Sequence, residues 1–202
     1  MHGSPVRRLS VIREELGDCQ RCSLCKTRQN IVFGVGNPHA HVMFIGEAPG
    51  ADEDAKGEPF VGRAGKLLDK MISAMGFDRS DVYIANVVKC RPPENRDPKG
   101  EEEEACLPFL KRQIRTIAPE VIVTLGRVST RALMPQLEDE SLSKIHGKVY
   151  EWEGISLVPT FHPAFLLRTP SGKPYAWRDL KAVLRLLKER DIEPPNSVRM
   201  WR

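Results

Sequence analysis

Val42 to Gly65 reads VMFIGEAPGADEDAKGEPFVGRAG. The short apolar run Val42-Met43-Phe44-Ile45 has the length and composition of a buried strand. Gly46-Glu47-Ala48-Pro49-Gly50 is too rich in Gly and Pro to continue it, so the strand ends there in a turn. An acidic loop follows, then Pro59-Phe60-Val61-Gly62. Beyond it a helical pattern runs through Leu67, Leu68, Met71, Ile72 and Met75. The stretch therefore predicts a strand, a loop at its carboxyl end, and a helix packed back on the sheet. In open α/β sheets that crevice is where ligands bind.

Working outward, the same alternation repeats. Val82-Tyr83-Ile84-Ala85-Asn86-Val87-Val88 is a second buried strand with one polar residue, Asn86, near its end. Pro92 and Pro93 stop it. Glu101 to Ala118 reads as a helix, Val121 to Gly126 as a third strand, and Arg127 to Leu137 as a short helix. Val149 to Val158 reads as a hairpin whose second strand runs into Thr160-Phe161-His162-Pro163-Ala164. Tyr175 to Arg190 is a last amphipathic helix, and Val6 to Leu16 a first one. Ile31 to Gly34 is an extended or strand segment. Strands alternating with helices predict an α/β fold, a largely parallel sheet in an αβα sandwich. With 202 residues, no repeat and no linker, the whole chain reads as one domain. Residues 192–202 read as a loose tail.

Charged residues make up 29% of the chain, the level of a water-soluble globular protein. No apolar run approaches the roughly 20 residues a membrane span needs. The first residues carry no apolar signal core, which predicts a cytoplasmic location. The net charge of +4 permits nucleic-acid binding without demonstrating it. Glu101 to Glu104 reads as a solvated run at a helix start, favoured there by the helix dipole.

Three polar signals fall at the carboxyl ends of three predicted strands: the Gly46 to Gly50 loop, Asn86 and His162. Each has an ordinary alternative, a backbone-satisfied buried amide for Asn86 and a helix-capping or core histidine for His162. Together at one sheet edge they mark a ligand site. The five cysteines are better suited to metal or redox use than to disulfides in a cytosolic chain. Cys19 and Cys22 form a close pair, and Cys90 and Cys106 stand alone far downstream. The four together predict a thiolate clip tying the N-terminal helix to the second strand's loop and the following helix. On spacing, zinc and an iron–sulfur cluster fit equally. Cys25 is a fifth candidate.

GEAPGADED, PFVGRAG, NVVKCRPPENRDP and TFHPAFLLR, with Cys19, Cys22, Cys90 and Cys106, resemble the family 4 uracil-DNA glycosylases in order and spacing, from about Cys19 to Arg168. That resemblance implies a three-layer αβα sandwich around a central, mostly parallel four-stranded sheet. It implies one [4Fe–4S] cluster held by Cys19, Cys22, Cys90 and Cys106, in preference to zinc, with Cys25 left as a small buried thiol. It implies removal of uracil from DNA in base excision repair, with uracil-containing DNA as partner. The chain is expected to act as a monomer. A base in duplex DNA must leave the stack before such chemistry.

The residues then take roles by resemblance. Phe60 stacks on the flipped uracil, and Asn86 accepts from N3–H while donating to O4. Gly46, Glu47 and Ala48 lie against the base. His162 donates to O2 as the pyrimidine leaves as an anion. The best-known uracil glycosylases carry Gly-Gln-Asp-Pro-Tyr-His in this loop. Here Ala48 replaces the water-positioning Asp and Gly50 the Tyr that blocks thymine. Glu47 is expected to act electrostatically instead, and Glu53 to exclude thymine. Leu166 and Leu167 are both candidates to fill the gap left by the base, with Arg168, Lys89, Arg91 and Arg96 on phosphates. The competing reading is a protein that captures uracil-DNA without turnover. A sister group does so through a histidine in an inserted loop, and the segment between Cys90 and Cys106 has none.

Overall fold

A computed structural model describes residues 3–199. Helix α1 spans Pro5–Leu16, where Ser4 caps the first turn by accepting from the Arg7 N–H and Pro5 supplies a preset φ. Strand β1 is Val35–Gly36, β2 Val42–Gly46, β3 Tyr83–Asn86, β4 Val121–Leu125, β5 Tyr150–Trp152 and β6 Ile155–Thr160. Between them lie α2 Ala51–Lys56, α3 Arg63–Ala74, α4 Gly100–Ile117, α5 Arg127–Leu133 and α6 Leu142–Ile145; α7 Pro163–Arg168 and α8 Lys173–Lys188 follow the sheet.

The strands form one six-stranded sheet in the order β1-β3-β2-β4-β6-β5. The four central strands are parallel, as expected. Two antiparallel edge strands enlarge the predicted four-stranded sheet to six: β5, from the hairpin, and β1, which pairs Val35 and Gly36 with Ile84 and Tyr83. A two-residue strand has no periodicity of its own, and only long-range pairing reveals it. The acidic loop is helix α2.

Alternation along the buried strands divides the core into two layers. Met43, Ile45, Tyr83, Ala85 and Ile122 face α1 and α4 with Leu9, Ile12, Leu110 and Ile114. Val42, Phe44, Ile84, Val121 and Val123 face α3 and α8 with Leu68, Met71, Leu180 and Val183. The tail is not loose over its described part. Asn196 N–H donates to Gly76 O and Arg199 N–H to Ala74 O, closing the C-terminal segment onto the end of α3. Residues 200–202 lie outside the described residues. Among the described residues no helix is long and apolar enough to cross a membrane.

One crossing fixes the connection from β2 to α3. A Cβ on Gly65 would sit 1.9 Å from Phe60 O, so the first turn of α3 lies directly on the Phe60 backbone. Phe60 itself has φ +53°, a left-handed conformation that costs a non-glycine residue of order 1 kcal/mol or more. Gly65→Ala should therefore destabilise the fold by roughly 1–3 kcal/mol or more, measured by chemical denaturation. Wild-type stability in the variant would show that the crossing is slack.

Candidate active site

A cavity of about 460 Å³ opens beyond the carboxyl ends of the parallel strands. Glu47, Ala48, Pro49, Gly50, Glu53, Phe60, Ala64, Asn86, Pro92, His162, Phe165 and Arg168 are among its walls. The parallel register sets Gly46 beside Asn86. A Cβ on Gly46 would meet Asn86 Oδ1 at 2.4 Å and Phe60 Cζ at 2.5 Å, so only glycine leaves the amide and the ring their places. Phe60 and His162 form the facing walls, with ring centroids 5.7 Å apart and planes tilted by 34°.

Asn86 is 1% exposed, and neither Oδ1 nor Nδ2 has a hydrogen-bond partner among the described residues. The backbone-satisfied alternative is therefore not what the structure holds. Burying a donor and an acceptor without partners costs about 1–3 kcal/mol each, a cost that a ligand with the complementary edge would remove. His162 is both a cap and a pocket wall. Its Nδ1 accepts from Ala164 N–H at 3.1 Å at the start of α7. Burial first, then the Arg168 charge, push its pKa down to about 4, so the ring is neutral at neutral pH. A neutral ring that accepts at Nδ1 carries its proton on Nε2, which is left free to donate. Glu47 is half-buried, and burial, with Asp97 and Glu103 nearby, raises its pKa to about 7.

Glu53 does something other than the sequence predicts. Its carboxylate accepts from Gly50 N–H at 3.1 Å and from Val61 and Gly62 N–H at 2.9 Å each. It clamps the loop after β2 to the segment carrying Phe60 while its side chain lines the cavity. Asp54 likewise accepts from Gln29 and Asn30 N–H.

Several expected DNA contacts are corrected. Lys89 is 0% exposed, and its Nζ donates to Asn86 O at 2.9 Å and Gln113 Oε1 at 2.6 Å, so it cannot reach a phosphate. Leu166 is 0% exposed in the core beside α8, whereas Leu167 is 38% and Phe165 37% exposed. Phe165, stacked on Phe161 with centroids 5.4 Å apart, is the wall that sequence reasoning missed; an aromatic following His-Pro-Ala was the signal. Arg168 is exposed at the rim. Arg91 is half-buried and donates to Asn95 Oδ1, and Arg96 is ion-paired to Glu102 at 2.7 Å. Glu102, read as solvated, is fully buried and also accepts from Ser23 Oγ; the Arg96 guanidinium holds its pKa down to about 2. Behind His162, buried Asp179 accepts from Thr160 Oγ1 at 2.8 Å and pairs with His146 Nδ1 at 3.0 Å, anchoring the end of β6.

All five cysteines are free. Cys90 and Cys106 are buried, and Cys19 and Cys22 pack against the same core cluster. Burial pushes the thiols of Cys22, Cys90 and Cys106 up. N–H groups point at the sulfurs, from Arg21 to Cys19 at 3.2 Å, Lys89 backbone to Cys106 at 3.3 Å and Arg28 to Cys90 at 3.5 Å. Cys25 is half-buried rather than buried and stands outside this cluster. Among the described residues no three His, Cys, Asp or Glu groups meet at the spacing of a single metal ion.

The structure is that of an α/β protein with a cavity at the carboxyl edge of its parallel strands. The profile of the Uracil DNA glycosylase superfamily matches residues 33–181. A type-4 uracil-DNA glycosylase of Saccharolobus solfataricus is 46% identical, over 93% of this chain and 90% of its own length. One from Archaeoglobus fulgidus is 47% identical over 87% and 91%, and one from Sulfurisphaera tokodaii 46% over 88% and 84%. The chain belongs to the uracil-DNA glycosylase superfamily, among its type-4 members.

The orphan amide gives a test that needs no substrate. Asn86→Val is nearer the amide in volume than leucine and removes both unsatisfied polar atoms, so it should stabilise the protein by about 1–3 kcal/mol net of the changed packing. That is a rise in melting midpoint of about 2–4 °C per kcal/mol for a chain of this size. A fall would mean that the amide is not a destabilising unpaired group.

Proposed function

We propose that the chain is a uracil-DNA glycosylase: it takes uracil out of the DNA stack and hydrolyses the N-glycosidic bond, leaving an abasic site for base excision repair. The observation that carries this is the buried amide of Asn86, donor and acceptor both unpaired, in the cavity that Phe60 and His162 also line. Uracil offers N3–H to the acceptor and O4 to the donor. Cytosine presents a donor where O4 would be and leaves the amide mispaired, at about 1–3 kcal/mol. Phe60 stacks on the base, worth roughly 1–3 kcal/mol.

The base leaves as an anion with charge on O2. His162, neutral and protonated on Nε2, donates to that oxygen without itself losing a charge. One preorganised donor of this kind is worth on the order of a hundredfold to a thousandfold. Ionised Glu47 stabilises the positive charge that grows on the sugar, in a largely dissociative cleavage. Arg168 and Arg91 hold phosphates, and Leu167, beside Phe165, fills the gap in the stack. Leu166 is excluded from that role by its burial. The protein acts as a monomer in the cytoplasm.

Cys19, Cys22, Cys90 and Cys106 hold a [4Fe–4S] cluster. Four free thiols from three distant segments lie in or against one core cluster, and N–H groups point at three of the sulfurs, Cys19, Cys90 and Cys106, which supports this reading. Bound there, it ties the loop of the first cysteines to β3 and α4 and stays outside the chemistry. Cys106→Ser should lose the visible charge-transfer absorbance, the iron and the labile sulfide, while Cys25→Ser keeps all three. Equal loss in both would reassign the ligand set.

Purified protein incubated with a uracil-containing oligonucleotide, then treated with alkali, should give strand cleavage at the uracil with multiple turnovers. His162→Ala should slow cleavage by roughly a hundredfold or more. As pH falls through about 7, Glu47 takes up a proton and loses its charge, so the rate should fall there. His162 stays neutral down to about pH 4 and does not contribute to that limb. Glu47→Gln should be slow and flat across the same range. Full turnover in Glu47→Gln would remove Glu47 from the mechanism, and a heat-stable protein–DNA band would replace turnover by capture.

A further inference from the structure

The amide of Asn86 is left unpaired for the base, so nothing polar holds its side chain from the front. A reader of a base edge must nevertheless be fixed before the base arrives, or its ordering is charged against recognition. The residue must therefore be held from behind, through its backbone. Its carbonyl is that of the last residue of β3. The next two N–H groups bond to the end of β2 and the residue after it, Val87 to Gly46 O at 3.0 Å and Val88 to Glu47 O at 3.1 Å.

We propose that Lys89 is a positioning residue for Asn86, holding the base-reading amide through its backbone carbonyl and coupling it to helix α4. The Lys89 side chain curls back three residues to cap Asn86 O at 2.9 Å, and its second bond reaches Gln113 Oε1 at 2.6 Å. Gln113 is itself locked, donating to Phe33 O at 2.9 Å. The Lys89 backbone is held at both poles as well, with N–H to Cys106 Sγ at 3.3 Å and C=O from Val32 N–H at 2.8 Å. Cys106 and Gln113 are seven residues apart on α4, two turns along one face. One fully buried lysine thus joins a cluster cysteine, its helix and the base reader.

A methionine would fill the same space without the cost of burying an amine. The two N–H bonds, available whether the amine is charged or neutral, are what the lysine supplies. Lys89 touches neither base nor sugar and acts only through Asn86. The inference rests on the reading of Asn86 as the reader of uracil.

The test compares wild type, Lys89→Met and Gln113→Met as holoproteins. Four quantities are read: single-turnover cleavage of a uracil oligonucleotide, inhibition by free uracil, binding to DNA carrying an abasic-site analogue, and visible cluster absorbance. Lys89→Met should cleave about tenfold to a hundredfold more slowly, the scale of a small misplacement of a reacting group. Uracil inhibition should weaken in parallel, with abasic-DNA binding and absorbance unchanged. Gln113→Met keeps the lysine but frees its far end, and should show the same pattern in weaker form; it decides the matter if Lys89→Met fails to fold. Wild-type cleavage and uracil inhibition in Gln113→Met would overturn the proposal. So would a loss shared equally by uracil and abasic-DNA binding, which is the mark of a merely structural lysine. If wild type does not cleave uracil-DNA, the glycosylase reading itself falls, a result separate from equal activity in wild type and variants.

Discussion

The parallel register that sets Gly46 of β2 beside Asn86 of β3 is the constraint on which the site depends. Side chains on a strand alternate between faces, so a slip of one residue would turn Asn86 away. The same register places the one residue without a side chain where Phe60 and the Asn86 amide both approach. Asn86 is aimed by the sheet, Phe60 by the crossing at Gly65, and His162 by capping α7.

A second set of long-range ties supports that edge. Glu102 joins Ser23 of the cysteine loop to Arg96 and to the start of α4. Arg28 reaches from the same loop to Cys19 O and Cys90 Sγ. These bonds lie beside the core cluster that holds Cys90 and Cys106. The N-terminal segment is thus fastened to α4 and, through Glu102 and Arg96, to the edge of the pocket.

Much of this was legible in the sequence because it is local. Buried strands announce themselves as short apolar runs, and polar residues at their carboxyl ends mark the ligand edge. Asn86 and His162 were visible in that way. What was not legible is side-chain direction. Lys89 looked like a surface cation beside Arg91, and only the fold shows it turned inward. Leu166 and Leu167 are adjacent and chemically equal, but α7 buries one and exposes the other. Glu53 and Glu102 read as members of acidic runs, yet each is taken up by backbone N–H groups or an arginine brought from elsewhere in the chain. Strand β1 and the docking of residues 196 and 199 exist only as pairings with distant backbone.

The Glu53 clamp has an energetic consequence. With three backbone N–H groups gathered on one carboxylate, the loop and the stacking ring are preassembled without a lid that must close. The free energy of forming the complex is then governed by the nucleic acid, which must give up stacking and pairing to deliver its base. Sites where that is least costly, a mismatched pair or an unpaired strand, are the ones such a rigid receptor meets most often in the extruded form. Selection among DNA sites is set by the softness of the substrate, and selection among bases by the hardness of the protein.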